Sequence, residues 1–160
     1  MIVWNAIEED IASWLRLASE VEYLFGLMAE DPIFLQALQK NISRGSAFCI
    51  RENDGPPGSS LLGGLLFSSS AAPLYNIGWL AVASRARKSG VATALMTYVL
   101  TLVPSPAEVT VTTFGTDIAD GLPARELYIK NGFKPDERVA NGPEGGSRQK
   151  FKLKILERKG

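Results

Sequence analysis

The stretch from Leu74 to Phe114 limits the fold more than any other part of the chain. Between Leu74 and Val82, Tyr75, Ile77, Trp79 and Ala81 alternate with Asn76, Gly78, Leu80 and Val82. Apolar groups occur in both sets, the pattern of a strand in the middle of a sheet. Val91, Leu95, Tyr98, Val99 and Leu102 then recur at helical spacing and stop before Pro104. A run rich in Thr and Val, Val109 to Phe114, follows and reads as another strand. A strand, a helix and a strand in succession make a parallel crossover, so the chain is expected to be α/β.

The flanking segments extend this to a mixed sheet. After a short β-like start at Ile2, Val3 and Trp4, apolar residues at Ile11, Trp14, Leu15, Ala18, Val21, Leu24, Phe25 and Met28 predict one helix over Glu8 to Met28. Asp31 and Pro32 supply a cap and a first-turn proline for a second helix, which carries Phe34, Leu35, Leu38 and Ile42 and ends at Gly45. Ala47 to Arg51 and Leu61 to Phe67, separated by Asn53-Asp54-Gly55-Pro56-Pro57-Gly58, read as antiparallel strands, and Ser68 to Pro73 leads into the central strand. Pro123 opens a fourth helix that Asn131-Gly132 closes, and Phe133 to Val139 and Arg148 to Leu156 are the closing strands. In the last of these, Lys150, Lys152 and Lys154 alternate with Phe151, Leu153 and Ile155, which predicts lysines guarding a sheet edge. With neither an internal repeat nor a long linker, residues 1–160 are expected to form a single domain.

Composition removes several kinds of chemistry. Among 160 residues, 17 basic side chains balance 17 acidic ones, so no overall field draws the chain to nucleic acid or to a membrane. There is no histidine, which excludes a histidine base, and the single Cys49 cannot build a zinc site, so no metal is expected. A lone cysteine suits a reducing compartment, and no apolar run approaches the roughly 20 residues that span a bilayer. Glu8, Glu9 and Asp10 near the start do not fit a secretory signal, so a cytoplasmic location is expected.

The loop between the central strand and its helix runs Ser84-Arg85-Ala86-Arg87-Lys88-Ser89-Gly90-Val91-Ala92-Thr93. Amides in the first helical turn lack partners and carry the positive end of the helix dipole, so they suit a phosphate. Gly90 and Ala92 leave room for a close approach, and Arg85, Arg87 and Lys88 bring charge. On this chemistry alone, a solvated basic loop stays open as the alternative. The three-glycine dinucleotide fingerprint and the lysine-containing nucleotide loop are both absent.

Arg87-Lys88-Ser89-Gly90-Val91-Ala92 resembles the acyl-CoA signature of the GNAT superfamily, Gln/Arg-x-x-Gly-x-Gly/Ala. About thirty residues on, Ala124-Arg125-Glu126-Leu127-Tyr128-Ile129-Lys130-Asn131-Gly132-Phe133 is similar to the family's second signature, Ala-x-x-Leu-Tyr-x-x-x-Gly-Phe. The resemblance implies a mixed, mostly antiparallel central sheet with a splayed parallel strand pair and about four flanking helices. It implies an N-acetyltransferase that moves an acetyl group from acetyl-CoA, its co-substrate, to a primary amine by direct attack. Pantetheine would lie along Leu80, Ala81 and Val82, and pyrophosphate on Arg87, Lys88, Ser89, Gly90, Val91, Ala92 and Thr93. Tyr128 would face the CoA sulfur as general acid, a role that a phenol protonated at neutral pH can fill.

Two positions depart from the family pattern. Counting back from Val82 puts Asn76 at or next to the position of a glutamate base in some relatives, and asparagine cannot take up the amine proton. Asp117, Asp120, Glu22 and Glu30 are the alternative bases, or the amine arrives neutral. Gly121 stands where relatives often have asparagine, which removes one side-chain bond to the cofactor. The first two helices, which commonly wall the acceptor site, carry Glu8, Glu9, Asp10, Glu20, Glu22, Glu30 and Asp31, which would favour a cationic amine unless these are merely outer-face charges. Trp79 could line that cleft or belong to the core. The expected acceptor is thus a small-molecule or peptide amine, with a homodimer carried as an option. The other functional reading is a CoA-binding regulatory module with weak or no turnover.

Overall fold

The alternating segments form strands in the computed structural model, which describes residues 1–157. They are β1 (Trp4–Asn5), β2 (Ala47–Arg51), β3 (Leu61–Ala71), β4 (Leu74–Val82), β5 (Ala107–Phe114), β6 (Lys134–Val139) and β7 (Arg148–Ile155). One mixed sheet takes the order β1-β2-β3-β4-β5-β7-β6, in which β4 and β5 are the parallel pair and the other pairings are antiparallel. The helices are α1 (Ile11–Glu20), α2 (Glu22–Phe25), α3 (Pro32–Ser43), α4 (Val91–Thr101) and α5 (Leu122–Lys130). None among the described residues is long and apolar enough to cross a membrane.

Two adjacent glycines show how the layers stack. Side chains alternate across a strand. A Cβ at Gly63 would meet Val91 and Leu95 of α4, whereas one at Gly64 would meet the Trp14 ring of α1 at 2.9 Å, so α4 and α1 cover opposite faces of β3. Trp79 of β4 lies on the α1 face, its ring 5.5 Å from Trp14 and 5.8 Å from Phe34 of α3. A bulge in β4 between Trp79 and Ile77 then turns Ile77 to the α4 face, where it pairs with Val111 and Val111 with Phe151, on whose ring Tyr128 of α5 packs edge-on. Phe114, three residues from Val111, lies on the α1 face against Phe25 of α2. The helices α1, α2 and α3 therefore share one face, and α4 and α5 take the other.

Three expectations need correction. The helix predicted over Glu8 to Met28 is broken, which makes five α-helices among the described residues instead of four. The Glu22 carboxylate accepts hydrogen bonds from the amides of Met28 at 2.7 Å and Ala29 at 3.1 Å, and Gly26 turns the chain at a φ of 93°. The chain folds back after α2 although its apolar spacing runs on. The lysines of β7 do not guard an edge, because β7 is bonded on both sides and β6 is the edge strand. They lie on the side of Arg148 and Phe114, which α5 does not cover, and there Lys152 pairs with Glu108 at 3.8 Å and Asp136 at 3.5 Å. β4 is central in the sheet, yet only Tyr75, Ile77, Trp79 and Ala81 are buried, while Leu74, Asn76 and Gly78 are exposed.

Asp10 anchors the start of α1. Its buried carboxylate accepts from Arg51 Nε at 3.0 Å and Nη2 at 2.7 Å, and from the amides of Ile7 and Gly58. Burial pushes its pKa up, but the Arg51 bond and the two amides outweigh it and hold the carboxyl below the usual range.

Candidate active site

The parallel pairing of β4 and β5 is short. It runs from Leu74 opposite Glu108 to Ile77 opposite Val111 and stops there. Beyond it β4 stays bonded to β3 as far as Val82, and β5 stays bonded to β7 as far as Phe114. The two strands have parted, and the edges that faced each other carry backbone donors and acceptors without a strand partner. The gap holds a cavity of about 270 Å³, lined by Gly78, Trp79 and Leu80 of β4, Thr112 to Phe114 of β5, Tyr128 of α5 and Phe25 of α2. Pro143 and Arg148 complete its wall.

Tyr128 stands on this wall with 4% of its surface exposed, its ring edge-on to Phe133 at 5.6 Å and Phe151 at 6.1 Å. Burial pushes its phenol well above the ordinary value of 10, so it keeps its proton throughout the neutral range. Cys49, the other conceivable nucleophile or acid, is buried in β2, and burial pushes its thiol up to about 12. It has no part in the cavity.

The phosphate loop follows directly from the parted end of β4. Gly90 adopts a φ of 87°, which favours glycine, and a Cβ there would meet nothing within 4 Å. The α4 N-terminus is thus open. No side chain caps it, and the first intrahelical bond runs from Ala94 N to Gly90 O at 2.9 Å, which leaves the amides of Val91, Ala92 and Thr93 free of helical partners. These features fit a pyrophosphate. The three cations of the loop are not equivalent: Arg85 pairs with Glu52 at 3.4 Å and Glu20 at 3.9 Å, Arg87 donates to the Tyr23 hydroxyl of α2, and Lys88 is exposed. Arg87 and Lys88 remain for an anion. Of the other residues expected at the cofactor, Leu80 lines the cavity, Val82 is half-buried on the α4 face, Ala81 is turned to the α1 face, and Ser89 donates back to Ala86 O.

The carboxylates expected as bases or as an acidic wall are elsewhere. Asn76 lies in the paired part of β4 and accepts from Thr110 Oγ1 at 3.1 Å, so the count from Val82 does not bring it to the cavity. Glu22 is bound to loop amides, Asp31 caps α3, Asp117 accepts from Ser147 and Arg138, and Asp120 and Glu30 are exposed. Among the described residues, no carboxylate lines the cavity.

Gly121 has a packing reason, since a Cβ there would overlap Phe114 and push it from the cavity wall. Phe25, Phe114, Pro143 and Arg148 were not expected at the site. Arg148 sits 4.8 Å over the Phe114 ring, donates to Leu24 O at 3.2 Å and pairs with Glu144. It joins β7, α2 and the loop carrying Pro143. Nothing local in the sequence marks such a meeting of distant segments. A larger hollow of about 400 Å³ lies between β6 and β7, lined by Lys134, Asp136, Lys152 and Lys154, and it joins neither the parted strands nor the open helix end.

The model of the acetyltransferase (GNAT) family matches residues 8–133. No curated protein matches the chain. Among solved structures, Ard1 from Thermoplasma volcanium is 21% identical, with a TM-score of 0.77 and 98% of each chain covered. The NatC complex bound to Gag peptide and CoA is 19% identical, with a TM-score of 0.75 over 97% of this chain and 98% of that one. The PaiA N-acetyltransferase from Thermoplasma acidophilum in complex with coenzyme A is 13% identical, with a TM-score of 0.71 over 96% of this chain and 98% of that one. At these identities the likeness is one of fold.

Proposed function

The chain belongs to the GNAT acetyltransferase family, and from that premise we propose that it is an acetyl-CoA-dependent N-acetyltransferase acting on a primary amine by direct attack. The observation that carries this reading is the continuity of three features: the parted ends of β4 and β5, the uncapped N-terminus of α4, and the Tyr128 phenol on the cavity between the strands. Two relatives of the same fold bind CoA, and one of these binds a peptide as well.

Acetyl-CoA would supply an acetyl group activated as its thioester. The chain's own groups would hold and orient it: the amides of Val91 to Thr93 with Arg87 and Lys88 on the pyrophosphate, and the unpaired edge of β4 from Gly78 to Val82 along the pantetheine. Backbone donors on that edge also suit negative charge developing on the acetyl oxygen. Tyr128 holds a proton at its hydroxyl inside the cavity, ready for the departing thiolate. The raised phenol pKa keeps that proton in place throughout the neutral range.

The alternative, a CoA-binding module without turnover, draws on the lack of a carboxylate in the cavity wall. Calorimetry with acetyl-CoA and free CoA, followed by thiol release over pooled amines, separates the readings. The wild type should bind and release thiol, and an Arg87→Glu, Gly90→Glu variant should lose binding while still folding. Tyr128→Phe should bind CoA with unchanged affinity and turn over about 100-fold more slowly. Binding without thiol release would favour the module, and no binding by the folded wild type would end both readings.

A further inference from the structure

The composition of the cavity wall restricts the acceptor. Its β4 part presents Ile77, Trp79 and Leu80, its β5 part Val111 to Phe114, its α2 part Phe25, and the β6–β7 loop Pro143. Among the described residues, the titratable or charged groups lining it are Tyr128 of α5, held neutral, and Arg148 of β7, whose guanidinium is paired with Glu144. Nothing on this wall is placed to pair with an ammonium or to take its proton. An ammonium moved into such a place would lose its hydration without gaining an anion, and burial would favour its neutral form.

We infer that the acceptor is the α-amino group of a peptide that begins with a bulky apolar residue, and not a polyamine or a lysine side chain. The inference rests on the acetyltransferase reading above and deepens it. At pH 7, an α-amino group of pKa near 8 is about one-tenth neutral, and a lysine amine of pKa near 10.4 about one part in 2,500, roughly a 200-fold difference in the form that can attack. The aromatic wall formed by Phe25, Trp79 and Phe114 suits an apolar first side chain. The chain also carries an unexplained apolar surface beside this wall. Leu27 and Ile33 are 86% and 75% exposed, in the segment between Phe25, which lines the cavity, and Phe34, which packs on Trp79. A small arylalkylamine would leave them uncovered, whereas the next residues of an apolar peptide would lie against them.

In the transfer itself, the amine nitrogen forms a bond to the acetyl carbon as the carbon–sulfur bond breaks. The thiolate takes the Tyr128 proton, and the new amide loses its extra proton to water, from which Tyr128 is restored.

The test uses the full chain with acetyl-CoA and three acceptors: a lysine-free peptide starting with leucine, the same peptide with a blocked N-terminus and one internal lysine, and spermidine. The free peptide should show kcat/KM at least 100-fold above the other two at pH 7, with a pH profile rising through the pKa of the peptide amine. Leu27→Asp should raise KM for that peptide about tenfold with kcat unchanged. CoA binding, measured on the same samples, separates the two levels of failure. Equal or better transfer to spermidine or lysine, or binding with no transfer to the free peptide, overturns this inference and leaves a CoA site standing. No CoA binding removes the acetyltransferase reading and this inference with it.

Discussion

α3 and α4 begin in opposite ways. At α3, Asp31 accepts the amide of Ile33 at 2.9 Å and Pro32 fills the first turn, so that the end is closed by the chain itself. At α4, Gly90 brings no side chain, stands in open space and leaves the amides of Val91 to Thr93 without a cap. Capping side chains are common and typically worth about 1 kcal/mol. The contrast teaches where the fold keeps its hydrogen bonds for stability and where it leaves them for a ligand. A parallel contrast runs along β4, bonded to β5 up to Ile77 and parted from it afterwards.

The comparison can be broken most forcefully by giving α4 a carboxylate. Gly90→Asp puts a negative charge beside the free amides, and CoA affinity should fall on the order of 100-fold in a calorimetric titration while the protein stays folded. Unchanged affinity would erase the distinction between the two helix ends. Removing the cap from the other helix sharpens it. Asp31→Ala should cost about 1 kcal/mol of stability, lowering Tm by roughly 2–4 °C, with CoA affinity unaltered.

The smallest effect concerns Glu22, whose bonds from the amides of Met28 and Ala29 hold its carboxyl below the ordinary value of 4.5. A depressed folded pKa means that the group contributes stability above its ordinary value and loses it as pH falls through the folded pKa. The turn after α2 should therefore be fully held at neutral pH and loosen only on the acid side of 4.5. The amide resonances of Met28 and Ala29 should titrate together there, and Glu22→Gln should abolish that titration.

The same contrast explains what could be read in advance. The strand, loop and helix from Leu74 to Leu102 were legible because alternation, helical spacing and loop chemistry are local, and Tyr128 was legible through the second family signature. The break after α1 was not, because Val21, Leu24, Phe25 and Met28 keep helical spacing while a carboxylate-to-amide bond folds the chain back. The register of the lysines on β7 was read as an edge, since sequence shows alternation but not which neighbours a strand acquires. The acidic wall failed for a related reason: Asp10, Glu22 and Asp31 are spent on Arg51 or on backbone amides, partners that charge counting does not see. Phe25, Phe114, Pro143 and Arg148 meet from four separate segments, and only the folded chain brings them to one cavity.

The most direct measurement is amide hydrogen exchange, followed by NMR, with and without saturating acetyl-CoA. The amides of Val91, Ala92 and Thr93 should become protected on binding, while that of Ile33, already bonded to Asp31, should stay as it was. Binding that leaves Val91 to Thr93 unprotected, or protects both helix ends equally, would contradict a phosphate site at the open end of α4.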